Sequence, residues 1–263
     1  MARIYTLVNQ KGGVGKTTCA INLAAYLGYY GQRVLLIDLD PQANATSSVG
    51  LDKRAIKLGT YEVLIGSAPI IPQIWHSPRF KLSVLPSSPA LSGAEVELLD
   101  VARREFRLRE VLAPIASRYD YILIDCPPSL GMLTVNGLAA ALNGVIIPVQ
   151  CEYLALEGLG QLTQTITRIR TAIFPELKLR GVVLTMFDSR ILLARDVVQE
   201  VRNYFPNQVF DTVIPRSTRL AEAPSRGQPI SVYSPESNAA KTFEALAREI
   251  LTQDGISLPI LQV

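Results

Sequence analysis

The segment that most restricts the fold is Lys11-Gly12-Gly13-Val14-Gly15-Lys16-Thr17-Thr18, set between an apolar run at residues 4–8 and a helix-like stretch at 19–29. Strand, glycine loop, helix is the order in which a chain brings successive backbone N–H groups to bear on one phosphate. The glycines let the backbone close on an anion with no Cβ in the way, and the helix N-terminus adds partial positive charge. Lys16 supplies a mobile cation for terminal phosphates, and Thr17 offers a hydroxyl to Mg²⁺. A plain glycine turn would not place Lys-Thr directly after the last glycine at the Walker spacing. The whole loop, Lys11 to Thr18, is therefore expected to bind a nucleotide.

Two later strands end in acid. Residues 33–42 read as a buried parallel-type strand that finishes in Asp38 and Asp40, and carboxylates at a strand's carboxyl end face the ligand crevice of an open α/β sheet. On a continuing strand the two would share one face, so both could address one Mg²⁺–water cluster. A turn or cap role before Pro41 would account for one of them and not for both. Residues 119–128 form a second such strand, ending in Asp125, which matches a Walker B element whose carboxylate holds Mg²⁺ through water. Thr17, Asp38 and Asp125 are the expected metal ligands. Pro127, Pro128 and Gly131 are expected to form a stiff loop with a mobile end, suited to sensing a terminal phosphate.

The rest of the chain alternates strand and helix: strands at 144–149, 178–186 and 208–214, helices at 155–172, 192–204 and 237–251. Regular alternation predicts an α/β fold with a mostly parallel twisted sheet and helices on both faces. With 48% hydrophobic residues over 263, one domain spanning 1–263 is expected. Between 43 and 92, Pro69, Pro72, Pro78, Pro86 and Pro89 interrupt short apolar pieces, which predicts a peripheral insertion with one added strand. Residues 95–116 read as a helix whose charges form a solvated face.

Composition closes off other chemistry. Cys19, Cys126 and Cys151 are far apart and form no CxxC, so they are expected to be buried small hydrophobes, and His76 alone can build neither a triad nor a histidine metal site. The opening residues carry no leader, and no apolar run reaches the about 18 residues of a membrane span, so a cytoplasmic protein is expected. No NKxD element is present to read guanine, which favours ATP. A net charge of +3 is compatible with nucleic-acid contact without demonstrating it.

Lys11 ahead of Gly12-Gly13 gives KGGVGKTT, which resembles the deviant Walker A of the ParA/MinD superfamily. With DLDPQANAT (38–46), DCPPSLG (125–131), PVQCEYLALEG (148–158), LTMFDSR (184–190) and IPRSTRLAEAPSRGQPI (214–230), the chain resembles chromosomal ParA/Soj partition ATPases over nearly its whole length. The resemblance implies a weak ATPase that closes as a homodimer on ATP, binds double-stranded DNA without sequence preference, and is stimulated by a ParB-type partner to release ADP and phosphate. It implies that Lys11 reaches the partner subunit's nucleotide, that Lys16 binds phosphate, and that Asp40 in switch I positions or activates the attacking water. Switch II would be 125–131, and adenine would lie against Pro215 and Ser217. Arg190 and Arg219 match the family's DNA-contacting positions, with Arg216 and Arg226 as further candidates, and the protein would be nucleoid-associated. Starting at the ATPase core, it resembles the short class without an N-terminal helix-turn-helix.

Rival readings share the core. A MinD-type division-site regulator would end in a basic amphipathic helix, whereas residues 254–263 contain no Lys or Arg. A nitrogenase-iron-protein-like reductase needs paired exposed cysteines, and Cys126 follows Asp125 too closely for that pattern. Positioning of some other cargo on the nucleoid remains compatible with the same motifs.

Overall fold

Five consecutive buried residues in a strand require cover on both faces. In Tyr121–Asp125, Tyr121 and Leu123 turn into one apolar core and Ile122 and Ile124 into another, all fully buried. The computed structural model describes residues 2–153 and 155–258, so the tail at 259–263 lies outside the described residues.

From the N-terminus the elements are β1 (Arg3–Leu7), α1 (Lys16–Tyr29), β2 (Val34–Asp38), α2 (Asn44–Ser48), α3 (Thr60–Ile65), β3 (Trp75–Ser77), β4 (Leu82–Leu85), α4 (Ala94–Glu97) and α5 (Arg107–Leu112). They continue with β5 (Tyr121–Asp125), α6 (Met132–Ala140), β6 (Gly144–Gln150), α7 (Ala155–Ala172), β7 (Leu179–Phe187) and α8 (Leu192–Tyr204). β8 (Val209–Pro215), α9 (Thr218–Glu222), α10 (Ile230–Tyr233) and α11 (Asn238–Gln253) follow. The sheet has eight strands in the order β3-β4-β2-β5-β1-β6-β7-β8, parallel throughout except for β3 against β4. α1 and α11 cover one face, and α6, α7 and α8 the other. The expected doubly covered, mostly parallel sheet is what forms, and all three cysteines are buried and unbridged.

Two expectations need correction. The insertion carries two strands, not one: β4 joins β2 in parallel, and the three-residue β3 is held at the sheet edge by its ladder to β4. Residues 95–116 are not one helix. Val101 is extended and Arg103 is left-handed at φ 56°, so the run breaks between α4 and α5. Asn136 on α6 fixes the second piece, accepting from Leu108 N–H at 3.0 Å and donating to the Arg104 carbonyl at 2.8 Å. A tertiary hydrogen-bond pair overrides helix propensity here.

At the end of the sheet away from the strand carboxyl ends, Asp254 gathers the chain. Its carboxylate accepts from the hydroxyls of Tyr5 and Tyr121, each at 2.8 Å, and from Arg180 at 3.2 Å. Arg3 donates to its backbone carbonyl at 2.5 Å. Burial pushes the Tyr5 hydroxyl up to about 12; the Arg180 hydrogen bond opposes this and the Asp254 charge reinforces it. Asp254→Ala would strand two hydroxyls and a guanidinium, and is expected to cost about 2–4 kcal/mol in urea unfolding. Because the folded Tyr5 pKa lies above the unfolded value of about 10, stability present below pH 10 should fall as pH rises toward 12. Tyr5→Phe should make that alkaline decline less steep.

Candidate nucleotide-binding site

Parallel pairing sets the site. Asp38 is in register with Asp125, and Asp125 with Leu7, so the carboxyl ends of β2, β5 and β1 stand abreast. The glycine loop leaves from the third of them, between the halves of the sheet, where open α/β sheets bind ligands. Gly13 and Gly15 take left-handed φ values of 76° and 89°, which side chains disfavour. Asn9 anchors the loop's entry: its Oδ1 accepts from Lys11 N–H at 3.0 Å and its Nδ2 donates to the Pro148 carbonyl at 2.8 Å. The Thr185 hydroxyl, on β7, holds the Val14 carbonyl at 2.8 Å.

Two cavities adjoin across Gly15, Thr18 and Met186. One, of about 230 Å³, is lined by Gly12, Gly13, Lys16, Thr17, Asp40, Asn44 and Pro128 as well. The other, of about 300 Å³, is walled by Cys19, Ile214, Pro215, Arg216, Ser217 and Leu220 among others, and is mostly apolar. A polar end over the loop and an apolar slot beyond it match the two ends of a nucleotide.

Charge is concentrated at the polar end. Lys16 is buried and bends back so that Nζ donates to the Lys11 carbonyl at 3.0 Å; burial lowers its pKa, while Asp125 and Asp40 oppose that. Asp38 is fully buried but satisfied: Oδ2 accepts from both the N–H and the hydroxyl of Thr46 at 2.7 Å, and Oδ1 from Asp40 N–H at 3.2 Å. Burial pushes its carboxyl up to about 6 against those bonds. Asp125 is different. It is fully buried and neither oxygen meets a donor in hydrogen-bonding geometry, although the Thr17 hydroxyl is near enough to oppose the rise. Burial, then the neighbouring Asp38, holds its pKa well above the carboxylate range. Asp40 does not continue the strand; β2 stops at Asp38, and Asp40 sits in a turn where its Oδ1 accepts from Gln42 N–H at 2.9 Å. Its place is beside the phosphate cavity rather than on a shared strand face.

These residues fit a Mg²⁺-nucleotide. An orphaned buried carboxylate needs a cation, the Thr17 hydroxyl adjoins it, and a Cβ on Gly12 or Gly13 would meet nothing within 4 Å, which leaves the cradle open. Thr17 and Asp125 would hold the ion, whereas the Asp38 oxygens are engaged by switch I. Among the described residues no three His, Cys, Asp or Glu side chains could cage a metal unaided. Mg²⁺ does not need such a cage, because it binds through phosphates, water and one or two carboxylates.

Known proteins agree with this geometry. The family model for an AAA domain matches residues 2–179. The chromosome partitioning protein ParA of Myxococcus xanthus is 52% identical over 97% of this chain and 89% of its own length. The chromosome-partitioning ATPase Soj of Treponema pallidum is 51% identical over 97% and 99%. The chain belongs to the ParA/Soj family of partitioning ATPases. A solved structure described as cobyrinic acid a,c-diamide synthase from Mycobacterium smegmatis, with bound ATP analog and magnesium, superposes on this ParA-family chain with a TM-score of 0.85. It is 36% identical and covers 98% of this chain and 99% of its own.

The first lysine of the ParA-type loop behaves unlike the second. Lys11 does not line its own phosphate cavity and pairs with Glu152, two residues beyond β6. Arg190 follows β7, Arg216 and Arg219 follow β8, and Arg226 lies farther on, after α9. Arg190 is 87% exposed and forks onto Asp188 at 2.9 and 2.6 Å. That bond, with Arg216 contributing, holds the Asp188 carboxyl down at about 2. Arg219 is exposed and pairs with Glu222 at 3.2 Å, and Arg226 is also exposed.

Several site residues were not singled out from sequence. Asn44 lay inside a quoted segment without a role, and Asn9, Thr185 and Glu152 act through tertiary contacts; Pro128, expected in the phosphate-sensing loop, does line the phosphate cavity. Met186 lines both cavities from a left-handed backbone, φ 54°, beside a register shift between β7 and β8. Nothing local signals such a conformation in a non-glycine residue. Lys16→Ala is expected to abolish ATP binding in calorimetry. Asp125→Asn should stabilise the nucleotide-free protein by about 1–2 kcal/mol in thermal melts, by replacing a carboxyl whose ionised form burial disfavours with a neutral amide, while Mg²⁺-dependent turnover is lost.

Proposed function

We propose that the chain, acting as a single domain across 1–263, is a nucleotide-controlled switch. ATP with Mg²⁺ closes two copies into a dimer, the dimer holds double-stranded DNA without sequence preference, and a ParB-type partner triggers slow hydrolysis to ADP and phosphate. The observation that carries this reading is the division of labour between the two loop lysines. Lys16 is drawn into the chain's own cradle, whereas Lys11 is not part of that cavity's lining and is held by Glu152 beside an open surface at Gly12. A phosphate loop that serves one subunit has no use for a lysine outside the cradle. The higher identity to partitioning ATPases, 52% and 51%, than to the synthase-described structure, 36%, supports the same choice.

In this mechanism the loop amides and Lys16 bind the terminal phosphates, and the apolar slot at Pro215 and Ser217 takes the base. Mg²⁺, when bound, supplies the countercharge that buried Asp125 lacks. Asp40 lines the phosphate cavity with one carboxylate oxygen fixed by Gln42 N–H, which aims the group at an attacking water. Arg190, Arg216 and Arg219 stand at one edge of the sheet, and closing a dimer would double their number; phosphate contacts then add where a monomer has too few. Release on hydrolysis would return the protein to the cytoplasm, and retention would keep it on the nucleoid. Among the described residues no helix is long and apolar enough to cross a membrane.

Light scattering with Mg²⁺-ATP should report a dimer for Asp40→Ala and a monomer for Gly12→Val, whose Cβ would meet nothing within 4 Å in its own chain. Equal masses would remove the dimer from the model of action. DNA binding by Asp40→Ala should require ATP and weaken with salt at a log–log slope of about −0.9 per phosphate neutralised. Arg190→Glu and Arg219→Glu should abolish that binding and leave the dimer intact. If both reversals bind like the parent, the DNA reading fails and a protein cargo becomes the better one.

A further inference from the structure

Gly131 ends the loop after β5, and a Cβ placed there would stand 2.3 and 2.6 Å from the two oxygens of the Glu95 carboxylate. That carboxylate comes from α4, in the peripheral insertion. It accepts from Met132 N–H at 2.7 Å and from Leu133 N–H at 3.4 Å, the opening amides of α6. α6 has no cap of its own, since glycine stands at its N-cap. A carboxylate delivered from elsewhere satisfies those free amides and meets the positive end of the helix dipole. The end of switch II that was expected to be mobile is therefore the end that is clamped.

α4 is itself braced. Glu97 accepts from the Tyr61 hydroxyl of α3 at 2.5 Å, and the neighbouring Thr60 hydroxyl donates to the Asp38 carbonyl at 2.9 Å. A run of contacts thus leads from the end of β2 through α3 and α4 to the start of α6. It joins the segments that follow the two acid-bearing strands. Between its ends the switch II loop has little freedom: Cys126 N–H is bonded to the Leu7 carbonyl at 3.2 Å, Pro127 and Pro128 have fixed φ, and the Thr134 hydroxyl holds the Ser129 carbonyl at 2.6 Å.

We propose that Glu95 is a positioning residue of the ATPase: its carboxylate fixes the α6 end of the loop at 126–131 and so keeps Pro128 at the phosphate cavity. This rests on the reading of the site as ATP-hydrolysing. The phosphate loop takes its own support from Asn9 and Thr185, so ATP affinity should survive loss of the clasp while turnover should not.

The test compares the parent with Glu95→Leu, Glu95→Gln, Gly131→Ala and the double variant Glu95→Leu/Gly131→Ala. It measures kcat at saturating Mg²⁺-ATP, the ATP Kd by calorimetry, and amide exchange at 130–135. Gly131→Ala removes no hydrogen-bonding group and its Cβ meets the carboxylate of Glu95 first, so it stands even if Glu95→Leu is unstable. Glu95→Leu and Gly131→Ala should each lower kcat about 10-fold or more, keep Kd within about twofold of the parent, and speed exchange at Met132 and Leu133. Glu95→Gln, which retains a carbonyl acceptor, should recover most of the rate, and the double variant should be no slower than the slower single. Parent-like kcat in both single variants, losses that multiply in the double, or a Kd that rises in step with the rate loss would each overturn the clasp. A parent that turns over no ATP would instead overturn the reading of the site.

Discussion

Two carboxylates in register on neighbouring strands, both cut off from water, set the terms for one end of this molecule. Like charges that close cannot both ionise at ordinary cost. The chain treats them differently. Asp38 is answered from within, by Thr46 and the Asp40 amide, and in return fixes switch I where the strand stops. Asp125 is left unanswered by hydrogen bonds, with the charge of Lys16 acting on it from the glycine loop. Loop glycines, threonine hydroxyl and lysine are arranged around that deficit, so the affinity of the site for a charged ligand is built into the strand register before any loop is considered.

What the sequence made legible follows from the same register. Apolar runs that end in Asp38 and Asp125, and a glycine loop that ends in Lys-Thr, are signals of local composition, and they located the sheet, the loop and the acids. Asp40 was read onto a strand that in fact stops two residues earlier, because a turn that begins inside an apolar run leaves no trace of its own. The run at 95–116 looked helical because its charges and leucines have the right period. Its break is imposed by Asn136, and its first turn is held by the need to reach α6. Short elements such as β3 and α4 escape periodicity altogether, since three or four residues do not complete a pattern. Glu95, Asn9 and Asp254 are ordinary residues in sequence, and their roles exist only once distant segments meet.

Backbone strain at the site's border tells a related story. Ala43, after Asp40, and Met186, at the end of β7, both hold left-handed φ values, 51° and 54°, without being glycine. Such conformations persist where the surroundings leave no alternative. Ala43 is locked in place by its N–H to the Asp40 carbonyl at 2.8 Å and by complete burial. The two strained points flank the phosphate cavity, one on each side of the glycine loop in the strand order.

The Asp254 cluster gives the sheet a mechanical asymmetry. Arg3 and Tyr5 of β1, Tyr121 of β5 and Arg180 of β7 are tied to one residue at the end of α11, so the amino ends of three strands behave as though set in a vice. Their carboxyl ends bear the loops and are joined only by separate pairwise ties among the described residues, such as Asn9 to Pro148 and Thr185 to Val14. A beam gripped at one end bends at the other. Displacement caused by a ligand is thereby confined to the loop end, and trimming the last turn of α11 would slacken the strand that carries the phosphate loop from the far side of the molecule.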